Sequence, residues 1–179
     1  MAVDAVLRRV ATVVTLACAA LVALTVLLLF RPTLRATFGF ETAAGPAYRV
    51  GDRVDVPPDL YDSSAATVLI FARSTCGACQ RATTELAAVV ARLRTIASVR
   101  ITLVAAANRA DDELAFARAI GLNGDERTTI AVTGLRLRVV PTVLVVDRAG
   151  VIRYSSEGGL TPKQQDDILR AATGPASMR

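Results

Sequence analysis

Histidine and tryptophan are absent from this chain of 179 residues, and cysteine occurs only at Cys18, Cys76 and Cys79. A structural zinc site takes four cysteine or histidine ligands. One chain therefore cannot supply such a site, and a zinc site shared between two chains is the metal alternative that stays open. We accordingly predict no cofactor and no resident metal.

Lysine is also scarce, since Lys163 is its single instance, and aromatic residues make up only 4% of the chain. The net charge of +5 therefore comes from arginines, which are scattered along the sequence and interleaved with acids. Nucleic-acid binding usually shows as a basic stripe with stacking aromatic residues or a known motif. None of these is present, so we predict that nucleic acid is not a partner.

The longest apolar run is VATVVTLACAALVALTVLLLF, residues 10 to 30, which carries no charge. A helix of this length would be roughly 30 Å long, about the thickness of the bilayer's hydrocarbon core. A cleaved signal peptide usually has a shorter apolar region followed by a small-residue cleavage site. We therefore predict an uncleaved transmembrane anchor. Arg8 and Arg9 on one flank are matched by Arg31 and Arg35 on the other, so charge bias leaves the orientation open.

Residues 31 to 66 are rich in breakers and show no long periodic pattern, which we interpret as a tether running into the edge of a compact domain. The predicted organisation is a flank at residues 1–9, the anchor at 10–30, a juxtamembrane linker at 31–46, a compact domain at 47–173 and a tail at 174–179.

Strand and helix patterns alternate inside the predicted domain. Short β-rich runs predict strands at 67–72, 99–106, 142–147 and 151–156, and the last two are joined by a hairpin turn. Helical patterns follow the two cysteines, cover 111–120 and run from a capping box at Thr161 to Ala172. The stretch 123–140 stays open between strand, turn and helix. This order predicts an α/β fold, with a central mixed β-sheet flanked by helices.

Cys76 and Cys79 lie between the first buried strand and the helix that follows it. Unpaired backbone N–H groups and the helix dipole favour a thiolate at a helix start, and a thiolate is the nucleophilic form of cysteine. Two intervening residues place Cys79 one turn away, where it can attack a mixed disulfide on Cys76. A purely structural disulfide would close too short a loop to stabilise the fold appreciably. We interpret the pair as redox-active.

The CGAC motif at a helix start and VVPTVLVVDRAG some sixty residues later resemble the thioredoxin family. The apolar N-terminal run and the VGD before the domain make the chain more similar to its membrane-anchored, TlpA-like branch. The resemblance implies a thioredoxin-like fold and a thiol-disulfide oxidoreductase. It further implies that Cys76 attacks, that Cys79 resolves through a Cys76–Cys79 disulfide, and that a cis Pro141 faces the pair. Substrate-binding positions are then Val140, Pro141, Thr75, Gly77 and Ala78.

Two departures from the family pattern bear on mechanism. Thr75 stands where the family commonly has tryptophan, and Ile70 stands where thioredoxins carry a buried aspartate that assists proton transfer. Strongly oxidising relatives often place a histidine between the cysteines. This chain has no histidine, which favours a reductant. A disulfide oxidase or isomerase and a non-enzymatic thiol-based metal carrier are the alternatives. We interpret Asp111, Asp112 and Glu113 as the first turn of a helix.

The same resemblance implies where the domain works and on what. We expect an extracytoplasmic domain on a single-pass membrane protein, in a compartment where disulfides persist. Expected partners are protein thiols and disulfides, a redox partner that supplies or accepts electrons, and the membrane through residues 10–30. Cytochrome c maturation is a possible setting by analogy.

Overall fold

The computed structural model describes residues 47–106, 110–130 and 135–174, with the single positions Cys18, Leu21 and Thr25. The chain divides into two units, Met1–Gly39 and Phe40–Arg179, and the fold below belongs to the second. Apart from those single positions and Gly174, the predicted flank, anchor, linker and tail lie outside the described residues. Within the described positions, no helix has both the length and the apolar character needed to cross a membrane.

Five strands and four α-helices are found in the described part of the second unit. The strands are β1 (Ala66–Phe71), β2 (Val99–Ala106), β3 (Arg127–Ile130), β4 (Thr142–Asp147) and β5 (Ile152–Glu157). The helices are α1 (Gly77–Arg81), α2 (Thr83–Leu93), α3 (Ala110–Ala119) and α4 (Pro162–Thr173). Two short 3-10 turns, Pro58–Leu60 and Gly124–Glu126, complete the set.

The strands form one mixed sheet in the order β3-β2-β1-β4-β5. β2 is parallel to β1 and β3, whereas β4 is antiparallel to β1 and β5. All six residues of the central strand β1 are buried, as expected for a strand covered on both faces. The predicted mixed sheet, with parallel strands first and an antiparallel hairpin last, is confirmed.

Helices cover one face of the sheet. Val68 and Ile70 of β1 belong to the same apolar cluster as Leu86 and Leu93 of α2 and Ile168 of α4. In α2 the buried residues recur at helical spacing, because one face of the helix packs against the strands. The capping box predicted at Thr161 is present, with the Gln164 N–H donating to the threonine hydroxyl over 3.3 Å.

The opposite face of the sheet is covered by the segment before β1. Leu69 and Phe71 point to this side, and the segment contributes Tyr48, Leu60 and Tyr61 to the same cluster. The predicted organisation placed residues 47–66 inside the compact domain, where the tether enters it, and the described residues of this segment pack into the core. Its apolar residues are separated by breakers and show no helix or strand period, yet they complete the core.

Arg136 ties this segment to the chain that precedes β4. Its guanidinium contacts the carboxylates of Asp52 and Asp55, each over 3.1 Å, and donates to the Arg53 carbonyl over 3.0 Å. The same group lies 4.7 Å from the centre of the Tyr48 ring. A planar guanidinium with five donors can make these contacts at once, which a lysine cannot.

Two further details differ from the sequence interpretation. The helix predicted after the cysteines is split, because Ala82 (φ −85°, ψ 5°) separates α1 from α2. The ambiguous stretch 123–140 contains the 3-10 turn Gly124–Glu126 and strand β3, whereas residues 135–138 have no regular structure. Residues 131–134 lie outside the described part.

Candidate active site

Cys76 occupies the N-cap of α1, at the end of the short turn that leaves β1. Its backbone is extended (φ −87°, ψ 115°) while Gly77 begins the helix. The turn is closed by the Cys76 N–H, which donates to the Arg73 carbonyl over 3.1 Å. Strand β1 is buried and ends beside the helix start, so the chain brings the cysteine to the C-terminal end of the central strand. The predicted position of Cys76 is confirmed.

The Cys76 sulfur lies between a backbone donor and a backbone acceptor. The Cys79 N–H donates to Cys76 Sγ over 3.4 Å, as an N-cap geometry requires. On its other side, the Cys76 thiol donates to the Val140 carbonyl oxygen over 3.7 Å. The Val140–Pro141 peptide bond is cis, as the resemblance implied. The structure thus brings together the two sequence motifs, which are more than sixty residues apart.

Cys79 differs from Cys76 in its surroundings. Cys79 is fully buried, whereas Cys76 is partly exposed. Burial is the main cause that raises the pKa of the Cys79 thiol to about 12. The hydrogen bond and charge of Cys76 and the charge of Glu113 act in the same direction, and a backbone hydrogen bond from Arg73 acts against them. Cys79 is therefore held as a thiol at neutral pH.

This geometry suits a stepwise exchange of disulfides. Both cysteines are unbonded in the structure, with the accessible sulfur at a helix start and the protected one a turn further on. The accessible sulfur can attack a substrate, and the protected one can complete the exchange. Within the described part of the chain, no three Cys, Asp or Glu side chains converge as a metal site would require.

The other predicted site residues surround the Cys76 sulfur on two elements. Thr75, Gly77 and Ala78 are exposed beside it, Val140 is partly buried and Pro141 is buried. The Pro141 carbonyl accepts a hydrogen bond from Gly158 N–H over 2.7 Å. Among the described residues, no protein group accepts from the Val140 N–H. These residues are in place for binding an extended chain, and that role stays a prediction.

Sequence reasoning missed Glu113. It lies in the first turn of α3, as predicted, but its side chain is almost fully buried (2% exposed), while Asp111 and Asp112 are exposed. The Ser74 N–H donates to both carboxylate oxygens over 3.1 and 3.0 Å, and the Ser74 hydroxyl donates to one of them over 3.0 Å. An acid from a distant helix thus holds the turn that carries Cys76.

A signal for this burial is present in the sequence. Glu113 precedes Phe116, Ala117 and Ile120 by three, four and seven residues, and all three are buried. Residues with this spacing lie on one face of a helix. An acid on an apolar face is unusual enough to mark a candidate functional residue.

Cys76 caps a helix just after a buried strand, Cys79 lies one turn further on, and the loop with the cis Val140–Pro141 bond lies opposite. This arrangement is that of a thiol-disulfide oxidoreductase. A family model described as a thioredoxin-like domain matches residues 62–173, more than half of the chain. The chain therefore belongs to the thioredoxin-like family.

Solved structures of other proteins share the fold. The thioredoxin domain of a thiol-disulfide oxidoreductase from Bacteroides vulgatus superposes with a TM-score of 0.52 at 11% identity, covering 71% of this chain and 100% of the other. A thiol:disulfide interchange protein of the thioredoxin family from Chlorobium tepidum gives 0.50 at 15% identity, covering 74% and 99%. At such identities the likeness shows the fold alone. No curated protein sequence matches the chain significantly.

Proposed function

We propose that this protein exchanges disulfides with protein substrates through Cys76 and Cys79. The Cys76 thiolate attacks a substrate disulfide, which breaks the substrate S–S bond and releases one substrate thiolate. Cys79 then loses its proton and attacks the Cys76 sulfur, so the second substrate thiol leaves and the Cys76–Cys79 disulfide forms. The substrate gains two electrons and the protein loses two. The contrast between a partly exposed Cys76 and a fully buried Cys79 carries this proposal.

We propose further that the protein works as a reductant. A dithiol is strongly oxidising when its reduced form is stabilised. Among the described residues, one hydrogen-bond donor, the Cys79 N–H, reaches the Cys76 sulfur, and no histidine exists in the chain. A redox partner must then return two electrons after each cycle. Disulfides formed by the thiols that take part in cytochrome c maturation are a suitable substrate class, on the resemblance to TlpA-like proteins.

The proposed binding mode uses the chain at Val140. Its N–H is unpaired within the described residues, and its carbonyl oxygen faces the attacking sulfur over 3.7 Å. An extended substrate segment could pair with these groups as a neighbouring strand does. The exposed side chain of Val139 (47% exposed) would then provide an apolar contact beside the substrate cysteine.

Trapping of mixed disulfides tests the exchange mechanism. Cys79→Ser removes the resolving sulfur, so substrates should accumulate as mixed disulfides on Cys76. The matched variant Cys76→Ser should trap few substrates or none. Equal trapping by both variants would refute the assignment of attacker and resolver. Stoichiometric copper or zinc in the purified, reduced protein would instead favour a metal carrier.

We also propose that the protein is tethered to the cell membrane through residues 10–30, with its domain outside the cytoplasm. The long uncharged run supports the tether, and the proposed disulfide chemistry suits a compartment where disulfides persist. A reporter that is active only outside the cytoplasm, fused after residue 179, should be active. An inactive reporter, or a mature chain beginning near residues 35 to 45, would overturn this topology.

A further inference from the structure

We propose that Glu113 is a positioning residue of the dithiol, which fixes the Ser74 turn below Cys76 and places a buried negative charge near Cys79. This inference rests on the proposed exchange function. It assigns a role to a buried acid on α3, an element that carries neither cysteine. Thioredoxins carry a buried aspartate on the matching strand, but the corresponding residue on β1 of this chain is the apolar Ile70.

The contacts of Ser74 carry the positioning role. Its N–H and hydroxyl both donate to the Glu113 carboxylate. Its carbonyl accepts from the Gln80 side-chain amide on α1 over 2.8 Å. Ser74 therefore joins α3 to α1 across the turn that presents Cys76. Movement of the carboxylate would change where the attacking sulfur lies relative to Val140.

Because burying the Glu113 carboxylate costs free energy, we infer that its charge has a function. A buried ionised carboxylate is expensive unless it is paired or hydrogen-bonded. Within the described residues, Glu113 makes no salt bridge and depends on the donors of Ser74. A neutral residue could pack against Phe116 and Ala117 without that cost. Buried charges kept in this way are typical of functional sites.

The turn also connects Glu113 to Cys79. Arg73 forms a backbone hydrogen bond with Cys79, and the adjacent Ser74 binds Glu113, so the acid and the buried thiol lie against neighbouring residues. Burial and Cys76 contribute more to the raised pKa of Cys79, and the Glu113 charge adds to them. Asp111, on the same helical turn, is exposed.

The test compares charge removal with loss of the turn contact. Glu113→Gln keeps the shape and an acceptor oxygen for Ser74 but removes the charge. Ser74→Ala removes the hydroxyl contact and keeps the charge. Asp111→Asn removes an exposed charge from the same turn. Each full-length variant also carries Cys18→Ser, because the exposed Cys18 thiol would release thionitrobenzoate as well. Each then reacts with dithionitrobenzoate, whose S–S bond is broken by Cys76 with release of one thionitrobenzoate. Attack by Cys79 on the resulting mixed disulfide then releases the second.

Glu113→Gln should accelerate the second release about three- to tenfold between pH 7 and 9, since each unit by which the thiol pKa falls raises the thiolate fraction tenfold. Asp111→Asn should leave both releases unchanged. Ser74→Ala should alter the first release, which depends on the position of Cys76, more than the second. An unchanged or slower second release in a folded Glu113→Gln protein would overturn the proposal. A slower second release would indicate that Glu113 acts as a general base that removes the proton of Cys79. A parent protein with Cys18→Ser and an intact Cys76–Cys79 pair that releases no thionitrobenzoate would instead refute the exchange function.

Discussion

The two cysteines of the CGAC motif differ in solvent exposure, because Cys76 lies at the start of α1 and Cys79 lies inside its first turn. Cys76 caps α1 and keeps contact with solvent, while Cys79 turns into the core beneath it. A thiol removed from water loses the solvation that stabilises its anion, so its pKa rises. The division of labour between attacker and resolver therefore follows from position along one helical turn.

Alkylation as a function of pH should reveal this difference. With a pKa of about 12, Cys79 has a thiolate fraction on the order of 10⁻⁴ at pH 8, which rises about tenfold per pH unit. Iodoacetamide should therefore label Cys76 much faster than Cys79 at neutral pH, and Cys79 labelling should accelerate steadily up to pH 10.

Peptide mass spectrometry distinguishes the two cysteines, and the variants Cys76→Ser and Cys79→Ser supply the controls. Equal labelling rates at pH 7, or a Cys79 rate that does not rise with pH, would contradict the assigned environments.

The sequence was sufficient to predict the position of Cys76, because an apolar strand and a helical pattern flank it. It was not sufficient to predict the role of Glu113. An acid in a first helical turn is ordinarily stabilised by the helix dipole and solvated. Its burial depends on how α3 docks against a turn 39 residues away, and only the apolar spacing to Phe116 and Ile120 hints at it.

At the scale of elements, the β4–β5 hairpin illustrates a close approach that glycine permits. Gly150 has φ 74°, and an added Cβ would lie 2.7 Å from the Tyr61 ring. Its carbonyl accepts from the Val54 N–H over 2.9 Å. The hairpin predicted from Arg148-Ala149-Gly150 therefore also serves as a surface on which the segment before β1 packs.

Gly150→Ala should lower the free energy of unfolding by about 2 to 4 kcal/mol, because the positive φ costs roughly 1 kcal/mol and the clash with Tyr61 adds overpacking strain. Chemical denaturation measures the change.

Gly158→Ala is the matched control. Gly158 has φ 84°, but an added Cβ would meet nothing within 4 Å. This variant should lose only about 1 kcal/mol, the cost of the backbone conformation. If both variants lost the same stability, the contact with Tyr61 would have no energetic weight.

Other elements were harder to predict. The break between α1 and α2 at Ala82 falls in a run without glycine or proline, so the sequence contains no helix-breaking residue that would predict it. A continuous helical pattern was therefore the natural interpretation. The Thr83 hydroxyl donates to the Gln80 carbonyl over 2.8 Å, which satisfies an acceptor at the junction of α1 and α2. Such side-chain bonds compete with the helix ladder.

At the scale of the whole molecule, the core has two layers that are built differently. Helices with regular apolar spacing cover one face of the sheet, and this layer could be predicted from periodicity. The segment before β1 covers the other face with residues that follow no period. Such packing depends on tertiary contacts, among them those of Arg136, that periodicity does not encode.

The segment before β1 should be essential for folding. The family match begins at residue 62, but a chain of residues 62–174 would lack the buried side chains of the segment, Tyr48, Val54, Val56, Leu60 and Tyr61. At about 1.5 to 3 kcal/mol per large side chain, their loss costs up to roughly 8–15 kcal/mol, as much as a domain's entire stability.

Residues 47–174 should therefore unfold in one cooperative thermal transition, whereas residues 62–174 should show none. A cooperative transition in the shorter chain would mean that the second layer is dispensable.

The reduction potential of the Cys76–Cys79 pair tests the central claim most directly. Equilibration of the full-length protein with glutathione buffers, followed by alkylation of the remaining thiols, measures it. A reductant of protein disulfides should show a single two-electron transition between roughly −200 and −270 mV, the range of glutaredoxins and thioredoxin. A potential near about −120 mV, typical of strong disulfide oxidants, would contradict the reducing role, and a pair that never forms the Cys76–Cys79 disulfide would contradict the exchange function itself.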